Sequence, residues 1–220
     1  MVLFMIEYGI DFLSLSALIL SIVNGTFLLS NHLKDKPKFK VEPVYPNVYQ
    51  WWFELPPVKK EGKKTKKYGF LSYVKVKNSG LRKSSLSLWQ LSLKHKNSKE
   101  YICEPISIPE PIIQMGDSEH EKPLPVLGQG GIYYSPDTVV DSGTSTSGVC
   151  YYIVEYSNDI KNSIKIKDDK IEGRIVIKDI FDNETSTKIN FKKKKLNFLM
   201  DNIKNINDII SVDKSSQKYS

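Results

Sequence analysis

Residues 68–94 read YGFLSYVKVKNSGLRKSSLSLWQLSLK, two runs of alternating side chains joined by Asn78-Ser79-Gly80. Alternation of period two sends successive side chains to opposite faces of a strand, and Asn-Ser-Gly is the turn chemistry that ends one. The second run puts Leu86, Leu88, Gln90 and Ser92 on one face and Ser85, Ser87, Trp89, Leu91 and Leu93 on the other. Both faces are mixed, so the pattern leaves open which side is buried. Further along, KEYICEPISI, PIIQM, GIYYS, GVCYYIVEYS, SIKIK, EGRIVIKDIF and STKINFK, between residues 99 and 192, carry the same signature. About nine short strands with polar turns and no helical period before Leu196 predict a mainly β domain. The expected form is two antiparallel sheets packed as an immunoglobulin-like β-sandwich, with a partly open barrel as the alternative.

Towards the N-terminus the signal weakens. DKPKFKVEPVYPNVYQWWFELPPV, residues 35–58, alternates but is broken by Pro37, Pro43, Pro46, Pro56 and Pro57, which suits short edge strands. KKEGKKTKK, residues 59–67, reads as a long basic loop.

Earlier still, the run from Ile10 to Leu29 is 20 residues long and twelve of them are Leu, Ile, Val or Phe. At 1.5 Å per residue such a helix reaches ~30 Å, the hydrocarbon thickness of a bilayer. Its apolar residues are worth about −5 kcal/mol on an insertion scale, before the polar costs of Ser14, Ser16, Ser21, Asn24 and Gly25. Nothing basic precedes the run, which argues against a secretion signal, and it has no polar face, which argues against a core helix. A transmembrane helix over about 10–29 is therefore expected. Lys34, Lys36, Lys38 and Lys40 follow it closely, so the positive-inside rule puts the N-terminus outside and the C-terminal domain in the cytoplasm at the cell membrane. Ser14, Ala17, Ser21, Asn24 and Gly25 recur at helical spacing and form a stripe suited to close helix association, with itself or with a protein partner.

The chain divides accordingly into an N-terminal segment with its span (1–33), a basic, Pro-rich border with edge strands (34–67), a sandwich core (68–195) and an amphipathic helix with a polar tail (196–220). In the last of these, Leu196, Leu199, Ile203, Ile206 and Ile210 recur at three and four, giving one apolar stripe that must be covered by the sandwich, a partner or the membrane. Net charge is +7, and 32 basic against 23 acidic residues follow position 33. That balance favours anionic partners. Lys34, Lys36, Lys38 and Lys40, with Lys59, Lys60, Lys63, Lys64, Lys66 and Lys67, are the expected contacts to anionic lipid headgroups. Nucleic acid is a weaker candidate, resting on Tyr49, Trp51 and Trp52 as a stacking platform beside the lysines.

The order of these features, with VKVKNSGLRKSSLSLWQLSL and the late RIVIKDIFDNETSTKINF, resembles a loose group of prokaryotic single-pass membrane proteins with one immunoglobulin-like sandwich domain. The resemblance rests on a strand ending in Asn-x-Gly and a hairpin around Asp179-Ile180-Phe181-Asp182-Asn183. It implies architecture and brings no catalytic residue, since no activity attaches to the group.

Sites for chemistry are few. His32, His95 and His120 stand in no ligand spacing, and the cluster Asp117, Glu119, His120, Glu121 reads as a polar loop. VLGQGGIYY lacks the Gly-Lys-Ser/Thr ending of a phosphate loop, and DSGTSTSG lacks a nucleophile elbow. Cys103 and Cys150 lie in apolar runs and read as two buried thiols. No catalytic residue, cofactor or metal is expected. The expected function is a membrane-anchored, non-enzymatic interaction module or subunit of a membrane complex. The alternative is an extracytoplasmic ligand-binding sandwich, in which a Cys103–Cys150 bridge becomes credible.

Overall fold

The computed structural model describes residues 2–46, 48–60, 63–94, 100–103, 112–115, 122–127, 138–156 and 164–203. A long helix, α1 (Val2–Lys34), precedes a mainly β domain. Its strands are β1 (Phe39–Pro43), β2 (Gln50–Lys60), β3 (Lys63–Asn78), β4 (Ser84–Lys94), β5 (Glu100–Cys103), β6 (Ile112–Met115), β7 (Lys122–Pro125), β8 (Thr138–Val140), β9 (Ser145–Tyr156), β10 (Ile166–Lys167), β11 (Lys170–Asp179) and β12 (Glu184–Lys193). A short helix, α2 (Leu196–Asn202), follows.

Ten of these strands form one continuous sheet, and β6 and β7 pair separately. β3 is its organising element: β9 runs along one edge from Lys66 to Lys77, while β2 and then β1 share the other edge. A second group, β12, β11 and β4 with β5 and β8, joins the first where Trp51 and Trp52 pair with Lys192 and Lys193. The sheet thus curls into a half-barrel. This departs from two separate antiparallel sheets, because the β2–β12 seam is parallel. Trp52 makes the seam: its Nε1 donates to the Asp169 carbonyl (2.9 Å) and its own carbonyl accepts from the Lys194 amide (2.9 Å). β2 is flanked by β12 only at Trp51 and Trp52; beyond them its described pairing is to β3 alone, so Pro56-Pro57 lie on an edge stretch as expected, at a bulge where two residues oppose one. The division at residue 67/68 falls inside β3.

Two apolar cores hold the curl. The inner one packs Trp52, Phe70, Val74, Val76, Tyr152 and Val154 from one group of strands against Trp89, Leu91, Leu93, Ile175, Ile177 and Phe191 from the other. Each such side chain, fully buried, is worth about 1.5–3 kcal/mol. The outer one lies on the back of β2, β3 and β9, where Trp51, Phe53, Leu71 and Tyr151 are covered by Leu199 and Ile203. Burial on both faces explains why Gly69, Phe70, Leu71 and Ser72 are buried in succession. Gly69 is required there: a Cβ would collide with the Phe53 ring, which lies across it on the way to stacking with Tyr151.

The mixed faces of β4 have a simple cause. Lys178 pairs with Leu88 but Asp179 with Leu86, so Ser87 is an extra, bulged residue. Leu86 before the bulge and Trp89, Leu91 and Leu93 after it all reach the inner core. The stretch expected to be a basic loop is the end of a hairpin: Lys59 pairs with Lys64 and Lys60 with Lys63. At another tight hairpin, Asp168 and Asp169 both adopt positive φ (52° and 57°), as a two-residue type I′ turn between β10 and β11 demands. GIYYS and the 117–121 cluster lie outside the described residues, as do Ile206 and Ile210.

Candidate functional site

The feature with most structure built around it is the junction of α1 with the β domain. From Phe12 to His32 the helix is apolar enough to span a membrane, with a mean hydropathy of 2.0, and none of that stretch is buried against the rest of the chain. A helix of the domain core would be buried, so the core-helix alternative is removed. α1 keeps its hydrogen bonding to the end, with the Asp35 amide donating to the Asn31 carbonyl (2.8 Å). At 1.5 Å per residue, Asp35 lies only about 9 Å beyond Leu29, where the apolar run stops.

The chain is gripped immediately. Gly80 sits so close to residues 36–38 that a Cβ on it would run into the Lys36 carbonyl oxygen, and would lie 2.6 Å from the Lys38 nitrogen and 2.8 Å from Pro37 Cα. Asn78, buried to 1% exposure, is the hub. Its Oδ1 accepts from the backbone amides of Lys38 (3.1 Å) and Gly80 (3.0 Å), and its Nδ2 donates to the carbonyls of Arg82 (2.7 Å) and Val140 (3.2 Å). The Ser79 amide donates to the Lys38 carbonyl (2.9 Å), and Ser142 Oγ to the Gly80 carbonyl (2.8 Å). An ion pair between Arg82 and Asp35 (2.6 Å) closes the outside. Being exposed it adds little, whereas leaving the Asn78 amide unsatisfied would cost about 1–3 kcal/mol. The Asn-x-Gly ending of β3, legible as a turn in the sequence, is therefore also the socket for the end of α1. No sequence pattern announces that second role, because its partner lies forty residues away.

The expected site residues separate in space. Ser14, Ala17, Ser21, Asn24 and Gly25 all lie on the exposed length of α1, and a Cβ at Gly25 would meet open space. Lys34 is the last residue of α1. Lys36 and Lys38 are exposed in the gripped segment. Lys40, on β1, pairs with Glu42 (2.6 Å), which also takes Lys77 (2.8 Å). Those two lysines hold the Glu42 carboxyl down at about 2. Lys59, Lys60, Lys63 and Lys64 belong to the hairpin at the opposite end of β3, up to about 50 Å along the strand from Asn78 at ~3.3 Å per residue. Lys66 is exposed near the same end. Lys67 is a correction to the surface set: its side chain is buried, with Nζ 3.7 Å from Glu155.

Trp51 and Trp52 are also withdrawn from the surface, one in each core, which removes them as a stacking platform. Cys103 and Cys150 are buried, separate thiols of the inner core, each pushed up to about 12 by burial. Among the described residues no group of three or more His, Cys, Asp or Glu is placed to hold a metal ion.

What the fold and junction define is a mainly β domain carried by a helix able to cross a membrane. No protein-family model matches the chain, and no curated protein matches it. Among solved structures it is similar to a FixG-related protein from Vibrio parahaemolyticus (11% identity, TM-score 0.28, covering 73% of this chain and 98% of that one). It is also similar to the structural-genomics target SoR45 (6% identity, TM-score 0.29, covering 73% and 89%). A third is the sporulation control protein Spo0M from Bacillus subtilis (9% identity, TM-score 0.29, covering 72% and 49%). Likeness at these values carries no functional argument.

Proposed function

We propose that the chain is a membrane-anchored, non-enzymatic interaction module, a rigid β domain mounted on a single span. α1 crosses the cell membrane with its N-terminus outside, and the domain, a sandwich of the immunoglobulin kind joined at one seam, works in the cytoplasm. The observation that carries this reading is the grip of Asn78 and Gly80 on residues 36–38. A flexible tether needs no such socket, whereas a module that presents one end to a partner at a set height and angle does. The lysines from 34 to 40 sit where they meet anionic headgroups, each worth about 1 kcal/mol near such a surface. The lysine-rich hairpin is the end turned away from the bilayer, suited to an acidic protein partner. Within the bilayer, Ser14, Ala17, Ser21, Asn24 and Gly25 supply the face for a second helix, where Asn24 gains most from a partner.

Ser186, exposed on β12, gives a topology test. With Ser186→Cys in the full chain, a membrane-impermeant maleimide is expected to label cells only after permeabilisation. Labelling of intact cells would place the domain outside and contradict the cytoplasmic reading.

A further inference from the structure

The geometry points to a second membrane contact, made by the domain itself: the turn Ile180-Phe181, with Leu81 beside the junction, dips into the surface of the same bilayer that α1 crosses. This rests on the reading of α1 as a span. Three observations carry it.

The first is position. β3 ends at Asn78, β4 starts at Ser84, β8 ends at Val140 and β11 ends at Asp179, with Ser84 opposite Val140 and Leu86 opposite Asp179. The loops at 79–83 and 180–183 therefore share the end of the sheet into which α1 is socketed, and the Ile180 amide donates to the Ser85 carbonyl (3.1 Å). With Asp35 about 9 Å past the apolar run, that end stands at the outer edge of the headgroup layer, which is ~5–8 Å deep on each side of the hydrocarbon, close enough for a projecting side chain to enter it.

The second is exposure where a tight turn would ordinarily be polar. Leu81, Ile180 and Phe181 are 62%, 54% and 57% exposed. The third is rigidity. Asp179, buried, accepts from the Phe181 amide (2.8 Å) and the Asn183 amide (2.9 Å) on Oδ1, and from Asn183 Nδ2 (2.9 Å) on Oδ2. Asp182 completes the turn at a positive φ of 61°. The backbone of the tip is thus held in place with both apolar side chains exposed.

Basic groups at this end (Lys34, Lys36, Lys38, Arg82, Lys83, Lys178) are largely offset by Asp35, Asp141, Asp182 and Glu184, the last paired with Lys178. The contact is thus chiefly apolar, and bulk lipid is its partner, with anionic headgroups a minor contribution.

The test uses the full chain in vesicles of phosphatidylcholine and phosphatidylglycerol in equal parts. A polarity-sensitive fluorophore is attached through Leu20→Cys, Phe181→Cys or Lys66→Cys, and the quencher is a lipid carrying a spin label high on its acyl chain. The native thiols are buried and stay unlabelled in the folded protein. Strong quenching at 20 and 181 with little at 66 is the expected result, position 181 exceeding 66 several-fold. Quenching at 20 but equal, weak quenching at 181 and 66 would overturn the turn contact while leaving the span intact. An unquenched position 20 would overturn both.

Discussion

Asn78 Oδ1 accepts a hydrogen bond from the backbone amide of Lys38 at 3.1 Å, tying the end of β3 to the chain just leaving α1, forty residues earlier. With Gly80 packed against the same segment, this contact ties residues 36–38, just past α1, to the end of β3, and the proposed fixed mounting rests on it.

Asn78→Ala removes four hydrogen bonds, two of them buried, to the Gly80 amide and the Val140 carbonyl. A loss of about 2–4 kcal/mol is expected from the unmade bonds, read as a lower urea midpoint. Gly80→Ala meets backbone atoms on three residues and is expected to cost about 1–3 kcal/mol by the same measurement.

Leu199, on α2, is fully buried in the outer core while its neighbour Met200 is exposed. Leu199→Ala is expected to destabilise by about 2–4 kcal/mol and Met200→Ala by well under 1, which separates a helix docked on the sheet from one that lies elsewhere.

Cys103 and Cys150 have thiols raised to about 12 from an ordinary 9. Both are neutral in folded and unfolded chains at neutral pH and contribute no pH dependence there. Above 9 the unfolded thiols ionise first, so native stability falls as pH rises. A thiol reagent at pH just above neutral is expected to find neither cysteine in the folded protein and both in denaturant. Fast labelling of the native state would contradict their burial.

Glu42 works in the opposite direction. Hydrogen bonds from Lys40 and Lys77 depress its carboxyl from 4.5 to about 2, so its contribution is present above 4.5 and is lost as pH falls through 2. Glu42→Gln is expected to flatten stability over that window and to lower it at neutral pH by the same amount, a small one because the cluster is exposed. Urea midpoints across acid pH decide it.

Much of this was legible in the residues. Period-two runs located β3, β4, β9, β11 and β12, and the 20-residue apolar run located α1. What escaped had local causes. One bulged residue, Ser87, inverted the alternation of β4, and a bulge is invisible to a fixed period. The lysines at 59–64 read as a loop because a dense charge run resembles a solvated segment, yet Lys59 pairs with Lys64 and Lys60 with Lys63. Pro56-Pro57 point to an edge, and they do fall where β2 pairs with β3 alone; the inner position of Trp51 and Trp52, at the seam, is what the prolines do not announce. The junction was the least legible, since it joins a turn to a segment remote in sequence and only tertiary packing brings them together.

The most direct test of the fixed mounting is a pair of spin labels, at Phe27→Cys on α1 and Ser186→Cys on β12, in the full chain in lipid nanodiscs. A single narrow distance distribution that broadens with Gly80→Ala is expected. A broad distribution already present with Gly80 intact, or a chain that does not enter the bilayer, would contradict a rigid module on a single span.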